Sequence, residues 1–127
     1  MYDKNLVCEI IKNICWSLDL IQNRSKNINS YEDFLDTDDG IEKLDSICMQ
    51  IINIGEAIKQ IDKITSTEFL LTYPEVDWKA VKGMRDIITH HYFDIDAEVV
   101  YTTIKDKIPQ LHNTINKIKD DLKCSKI

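Results

Sequence analysis

The residues best suited to catalysis lie in one short segment, from Arg85 to Tyr92. Arg85 offers a planar guanidinium fork that can hold two phosphate oxygens at once. His90 titrates near neutral pH and can therefore give or take a proton. Tyr92 adds a hydroxyl group to the same segment. These side-chain types predict chemistry at a phosphate group.

The spacing of these residues places a condition on that chemistry. On a regular helix each residue turns about 100°, so Arg85 and Tyr92, seven residues apart, share a stripe. His90 follows Arg85 by five residues and would point about 140° away from it. A working site therefore requires either that the helix unwinds near His90 or that two copies of the chain combine their residues across a two-fold axis.

The same residues also have structural interpretations. His90 could be a hydrogen-bonded core histidine, and Tyr92 an amphipathic aromatic residue at a helix end. Arg85 could form an ion pair with Glu56, and this pair would also orient Arg85 in a catalytic site.

Other polar residues are weaker candidates. His91 is interpreted as a rim or structural residue, and His112, in the last predicted helix, as facing solvent. Lys79 and Lys82 precede Arg85 by one or two helical turns. They could guide a nucleic-acid backbone, although an ordinary solvated helix face is the favoured interpretation.

Composition predicts a packed helical protein. Of the 127 residues, 43% are hydrophobic and 30% charged, and Gly and Pro number three and two. So few turn-forming residues argue against a many-stranded sheet. The length fits one domain covering residues 1–127. Apolar periodicity predicts an all-α antiparallel bundle of four long helices, near residues 6–21, 41–61, 78–92 and 97–122. Two short helical pieces are predicted near residues 31–35 and 69–71. Pro109 should kink or restart the last long helix.

Charge and cysteine content narrow the partners. A net charge of −6 excludes a generic nucleic-acid coating protein, so any contact with RNA must be local. The four cysteines lack CxxC spacing, so we expect reduced core thiols and no metal or cofactor. The sequence shows no signal peptide and no membrane span, so we expect a cytoplasmic protein. The acidic cluster at 36–39 is interpreted as a helix start and not as a calcium loop.

The second long helix carries an unusually wide apolar arc, with isoleucine at positions 47, 51, 52, 54 and 58. Such an arc exceeds what one neighbouring helix covers. Either a dimer interface or a central position among the chain's own helices would explain it.

The ordered motifs of the chain resemble those of HepT-like proteins in the HEPN group. The Arg-x4-His-x-Tyr spacing from Arg85 to Tyr92 matches the motif of that family. Further matches lie, in the family's order, at Ile54-Gly55-Glu56-Ala57, Tyr73-Pro74-Glu75-Val76-Asp77-Trp78, Gly83-Met84-Arg85-Asp86, residues 92–96 and Ile108-Pro109-Gln110-Leu111. Asp86 departs from the family's usual Asn, and an acid is electrostatically less suited to lie beside RNA.

The resemblance implies a helical bundle that dimerises, with paired Arg85 and His90 residues in a composite cleft. It implies a metal-independent endoribonuclease toxin, with Asp86, Tyr92 and Glu56 as supporting residues. It also implies a minimal nucleotidyltransferase as antitoxin, with Tyr92 as the acceptor of adenylylation. Two alternatives stay open from the residues: a non-catalytic subunit that binds a substrate or partner for a nucleotidyltransferase, and a dimerising scaffold.

Overall fold

Six α-helices and one turn of 3₁₀ helix make up the computed structural model, which describes residues 2–89 and 96–124. The helices are α1 (Lys4–Ser25), α2 (Asp38–Thr65), α3 (Glu68–Leu71), α4 (Trp78–Thr89), α5 (Ala97–Asp106) and α6 (Ile108–Asp121), and the 3₁₀ turn is Tyr31–Phe34. These described residues contain no strand, and the predicted all-α bundle is confirmed.

Side-chain caps set the helix starts. The Asp3 carboxylate accepts from the Leu6 amide, and Asp96 caps α5 in the same way. At α2 the cap is Thr37, whose Oγ1 accepts from the Gly40 amide at 2.9 Å, while two aspartates occupy the first turn. The acidic cluster therefore belongs to a helix start, as predicted, because negative charge there complements the exposed amides and the helix dipole.

The predicted kink at Pro109 is a complete restart. α5 ends at Asp106, and Pro109 occupies the first turn of α6. Proline has no amide hydrogen, which makes it compatible with the first turn of a helix and not with its interior. The last predicted long helix is therefore two helices, α5 and α6.

α2 is the central helix of the fold. It packs against α1, α3, α4, α5 and the 3₁₀ turn. These neighbours completely bury most of its wide isoleucine arc, including Ile47, Ile51, Ile54 and Ile58. The central-helix interpretation is therefore correct, and the arc needs no dimer interface to cover it. Every helix in the described part of the chain is too short or too polar to cross a membrane.

Two cysteines correct the sequence prediction. Cys8 in α1 and Cys124 beyond α6 form a disulfide, with their Cα atoms 5.5 Å apart. Lys123, at φ 54°, adopts a left-handed conformation that ends α6 and turns the chain towards Cys8. Cys15 and Cys48 carry free thiols, as predicted, and burial raises the pKa of the Cys48 thiol to about 12.

His112 also differs from its prediction. Its imidazole does not simply face solvent: Nε2 lies 3.3 Å from Asp19 Oδ1, and Nδ1 lies 3.1 Å from Asn116 Nδ2. The ring therefore connects α6 to α1. This is a structural role.

Candidate active site

The centre of the candidate site is an ion pair between α4 and α2. Arg85 Nη1 lies 2.6 Å from Glu56 Oε1, so the contact predicted from the sequence is present. The same carboxylate oxygen lies 3.9 Å from Lys59 Nζ. Arg85 is 50% exposed and Glu56 43%, so both groups are accessible from solvent. Glu56 thus holds a guanidinium at the surface in a defined position.

A glycine allows the two helices to approach. A Cβ on Gly55 would lie 3.2 Å from the carbonyl oxygen of Val81, which is tighter than ordinary packing. The absence of that atom lets α4 lie close against α2, one residue before Glu56. On α4, the buried residues Trp78, Val81, Met84 and Ile88 form one stripe towards the core. This stripe fixes the rotation of α4 and directs Arg85 towards Glu56.

The start of α4 is anchored by two hydrogen bonds. The Trp78 indole Nε1 donates to the backbone carbonyl of Tyr73 at 3.0 Å. The Tyr73 hydroxyl donates to Asp121 Oδ2 at 2.7 Å, which ties the segment to α6. Burial, together with this carboxylate, raises the pKa of Tyr73. The anchored start leaves little freedom for α4, and hence for Arg85, to rotate.

Lys79 and Lys82 differ in their surroundings. The Lys82 ammonium pairs with Asp62, a carboxylate that is largely buried in α2. Lys82 therefore compensates a buried charge, which favours its structural interpretation. Lys79, three residues earlier on the same face of α4, is exposed, and both lysines line one groove.

A surface groove runs beside Glu56 between α1 and α2. Its volume is about 390 Å³, and Asn13, Trp16, Asn53, Glu56 and Gln60 are among its lining residues. Trp16 is 61% exposed, which is unusual for so large an apolar side chain. The sequence analysis did not select Trp16. The available signal was its position, outside the apolar stripe that α1 turns towards the core.

The structure describes part of the predicted constellation. It brings Arg85 and Glu56 together, and it places Asp86 exposed beside Arg85 on α4. His90 and Tyr92, as well as His91, lie outside the described residues. The catalytic role of His90 and the modification of Tyr92 therefore stay predictions.

Comparison with known proteins agrees with this arrangement. A family model described as "Ribonuclease HepT-like" matches residues 14–118. A Methanocaldococcus jannaschii protein named "Putative RNase" is 34% identical over 105 residues, covering 83% of this chain and 80% of that protein. A Thermococcus cleftensis protein named "Probable ribonuclease HepT" is 31% identical over 111 residues, covering 87% and 94%.

A third relative, a Caldanaerobacter subterraneus protein named "Putative RNase", is 32% identical over 108 residues, covering 85% of this chain and 89% of that protein. No solved structure matches the chain at a significant level. The helical fold, the Arg85 site and these relatives define a helical ribonuclease. The chain belongs to the ribonuclease HepT-like family. The predicted family and the predicted enzyme class are therefore confirmed.

Proposed function

We propose that the protein is a metal-independent endoribonuclease that acts as the toxin of a toxin–antitoxin pair. One observation carries the catalytic part of this proposal: Glu56 holds the Arg85 guanidinium on an exposed face of α4. Arg85 opens the Arg-x4-His-x-Tyr motif, which continues through His90 to Tyr92. A guanidinium in a fixed position can stabilise charge on a phosphoryl group without a metal ion.

The proposed reaction is attack of a ribose 2′-oxygen on the adjacent phosphorus. His90 takes the 2′-hydroxyl proton as general base, or gives a proton to the leaving 5′-oxygen as general acid. The 2′-oxygen–phosphorus bond forms, the bond from phosphorus to the 5′-oxygen breaks, and a cyclic phosphate and a 5′-hydroxyl result. Arg85 stabilises the negative charge that develops on the non-bridging oxygens.

We further propose that two copies of the chain share the cleft. Besides Trp16, the stripe of α2 that carries Glu56 presents Met49, which is 55% exposed. Residues four and seven apart share a helix face, so Met49, Asn53 and Glu56 lie along one line. Exposed large apolar side chains on neighbouring helices, here Trp16 on α1 and Met49 on α2, are typical of a surface covered by a partner. A second copy on this face would bring two Arg85 residues towards one cleft.

The direct test is RNA cleavage in the presence of a chelator. We expect purified wild-type protein to cut single-stranded RNA in EDTA, and His90→Ala to lower the rate by about 10²–10⁴-fold, because a general acid or base contributes on that scale. His112→Ala is the matched control, since it removes an imidazole that pairs with Asp19 on α1 and should keep full activity. Equal rates for wild type and His90→Ala would exclude the proposed mechanism.

The proposed antitoxin is a minimal nucleotidyltransferase that transfers AMP to the Tyr92 hydroxyl. The added phosphodiester would place a negative charge seven residues from Arg85 and close to the proposed cleft. Repulsion of the RNA backbone, competition for the guanidinium and simple obstruction would all reduce cleavage.

Adenylylation is tested by mass spectrometry. After co-expression with the proposed cognate nucleotidyltransferase, we expect the intact mass of the chain to increase by one AMP moiety, and Tyr92→Phe to abolish the increase. Tyr101→Phe is the control, because Tyr101 is a partly exposed tyrosine whose hydroxyl already donates to the Asn29 carbonyl. An AMP group that persists on Tyr92→Phe would contradict the assignment of the acceptor.

A further inference from the structure

A second groove lies between α1 and the end of α6. Its volume is about 340 Å³. Four lysines contribute to its lining, against one carboxylate, Glu9; the lysines are Lys4, Lys12, Lys119 and Lys123. Four positive charges and one negative charge give the lining +3, in a chain whose net charge is −6. The groove is therefore a local reversal of the protein's overall charge.

A disulfide fixes the position of this second groove, which we call the lysine groove. Cys8 and Cys124 line it, and their disulfide fixes the end of α6 against the first turns of α1. The backbone bond from the Cys124 amide to the Lys119 carbonyl, at 3.1 Å, fixes the turn that carries Lys123. The lysines are thus brought together by the meeting of both chain ends.

The four lysines of the groove form no ion pair with the described residues of the chain. Among the described residues, none of their ammonium groups lies within 4.0 Å of a carboxylate, whereas Lys43, Lys59, Lys82 and Lys117 all form ion pairs. Concentrating like charges without partners costs stability, because the ammonium groups repel one another. A polyanion in the groove would relieve this repulsion and release the counterions that screen it.

The groove borders the candidate active site. Lys12 lines the lysine groove, and Trp16, one helical turn further along the same face of α1, lines the groove that contains Glu56. A nucleic-acid strand that leaves the site across α1 would therefore meet the lysines directly. We propose that the lysine groove binds the phosphate backbone of single-stranded RNA next to the cleavage site. The choice of RNA as ligand rests on the proposed ribonuclease function.

The test measures RNA affinity separately from cleavage. A fluorescein-labelled single-stranded RNA is titrated with full-length His90→Ala protein, which should leave the RNA intact, and anisotropy is recorded over a range of salt concentrations. Each phosphate contact on a single strand contributes about 0.7 to the steepness with which the logarithm of the association constant falls against the logarithm of the salt concentration. Adding Lys12→Gln and Lys119→Gln should therefore flatten the slope by about 1.4 and weaken binding roughly 25-fold at 0.1 M salt.

Two control proteins distinguish the effect of the groove's own lysines from the effect of the protein's net charge. Lys26→Gln with Lys105→Gln changes the net charge equally at positions outside the groove and should keep the wild-type slope. Lys12→Arg with Lys119→Arg keeps the charge and should keep most of the affinity, which excludes misfolding as the cause of any loss.

Each outcome decides one of the two proposals. An unchanged slope in the Lys→Gln pair, an equal change in the Lys26 and Lys105 control, or no RNA binding at all would overturn the groove assignment. Loss of nucleotidyltransferase binding with RNA affinity intact would overturn it too, in favour of an acidic protein partner. Weaker binding in the Lys→Gln pair without cleavage by wild-type protein would support the groove and contradict the ribonuclease mechanism.

Discussion

Arg85→Lys is expected to reduce the rate of RNA cleavage by about 10²–10³-fold, the scale measured when one preorganised donor is lost from a transition state. Lysine preserves the positive charge, but its single ammonium cannot make the two parallel hydrogen bonds that a guanidinium makes to phosphate oxygens. The loss should appear in kcat rather than in KM, because charge on the non-bridging oxygens increases in the transition state. Single-turnover cleavage in EDTA measures this effect.

Glu56→Gln is the companion variant. Glu56 touches Arg85 and, in the structure, acts on the reaction through it, so it is a positioning residue. The amide still accepts a hydrogen bond from Arg85 but carries no charge, and we expect a loss of activity that is smaller than for Arg85→Lys. If the effects are transmitted through one guanidinium, Glu56→Gln in an Arg85→Lys background should add little. Fully additive losses would contradict the positioning role.

Arg85→Lys and His90→Ala together test whether two copies of the chain share one cleft. If Arg85 of one copy acts with His90 of the other, a mixture of Arg85→Lys and His90→Ala proteins contains heterodimers with one intact site. At equal amounts and random exchange, about a quarter of the wild-type activity should return. A site complete within one chain predicts no recovery, because every heterodimer site then carries a substitution. Size-exclusion chromatography of the mixture verifies that exchange has occurred.

Reduction of the disulfide between Cys8 and Cys124 is expected to lower the free energy of unfolding by about 2–5 kcal/mol. The bond closes a loop with a sequence separation of 116 residues, and the chain entropy that a crosslink removes from the unfolded state increases with loop length. For a loop of this length the entropic model gives about 4.7 kcal/mol. Urea unfolding followed by circular dichroism, with and without dithiothreitol, measures the difference.

Cys8→Ser with Cys124→Ser provides the control for this prediction. The double variant should unfold at the urea concentration of the reduced wild type, and dithiothreitol should not change it further. The two free thiols, Cys15 and Cys48, are present in both proteins and therefore cancel in the comparison. A wild-type midpoint that is insensitive to dithiothreitol, with an intact mass showing four thiols, would contradict the disulfide.

Helix positions could be read from the sequence because each helix has its own periodic apolar stripe. The boundaries needed local side chains as well. α1 begins at Lys4, two residues before the first apolar position, because Asp3 caps it. α2 continues to Thr65 and ends where Ser66 adopts a left-handed conformation at φ 62°. Apolar periodicity does not reveal a side-chain cap or a left-handed residue at a helix end. Both ends of α2 therefore lie outside the range that periodicity predicts.

The pairing of Cys8 with Cys124, unlike the helix positions, could not be read from the sequence. Cys8 and Cys124 have no spacing signal, since the residues between them comprise nearly the whole chain. Their contact arises because α6 packs against α1, which brings the two chain ends together. The absence of CxxC spacing was therefore no evidence that these two thiols are reduced.

Sequence alone determined the helical class and the family, and it selected the candidate segment from Arg85 to Tyr92, because apolar periodicity and motif spacing are properties of neighbouring residues. Tertiary structure decided that Glu56 holds Arg85, that Lys82 serves a buried aspartate, and that four lysines meet beside a disulfide. Charged groups act over several ångströms and without a sequence period, so their partners are set by how helices pack. Gly55 illustrates the link, because the space left by one missing Cβ brings α4 against α2.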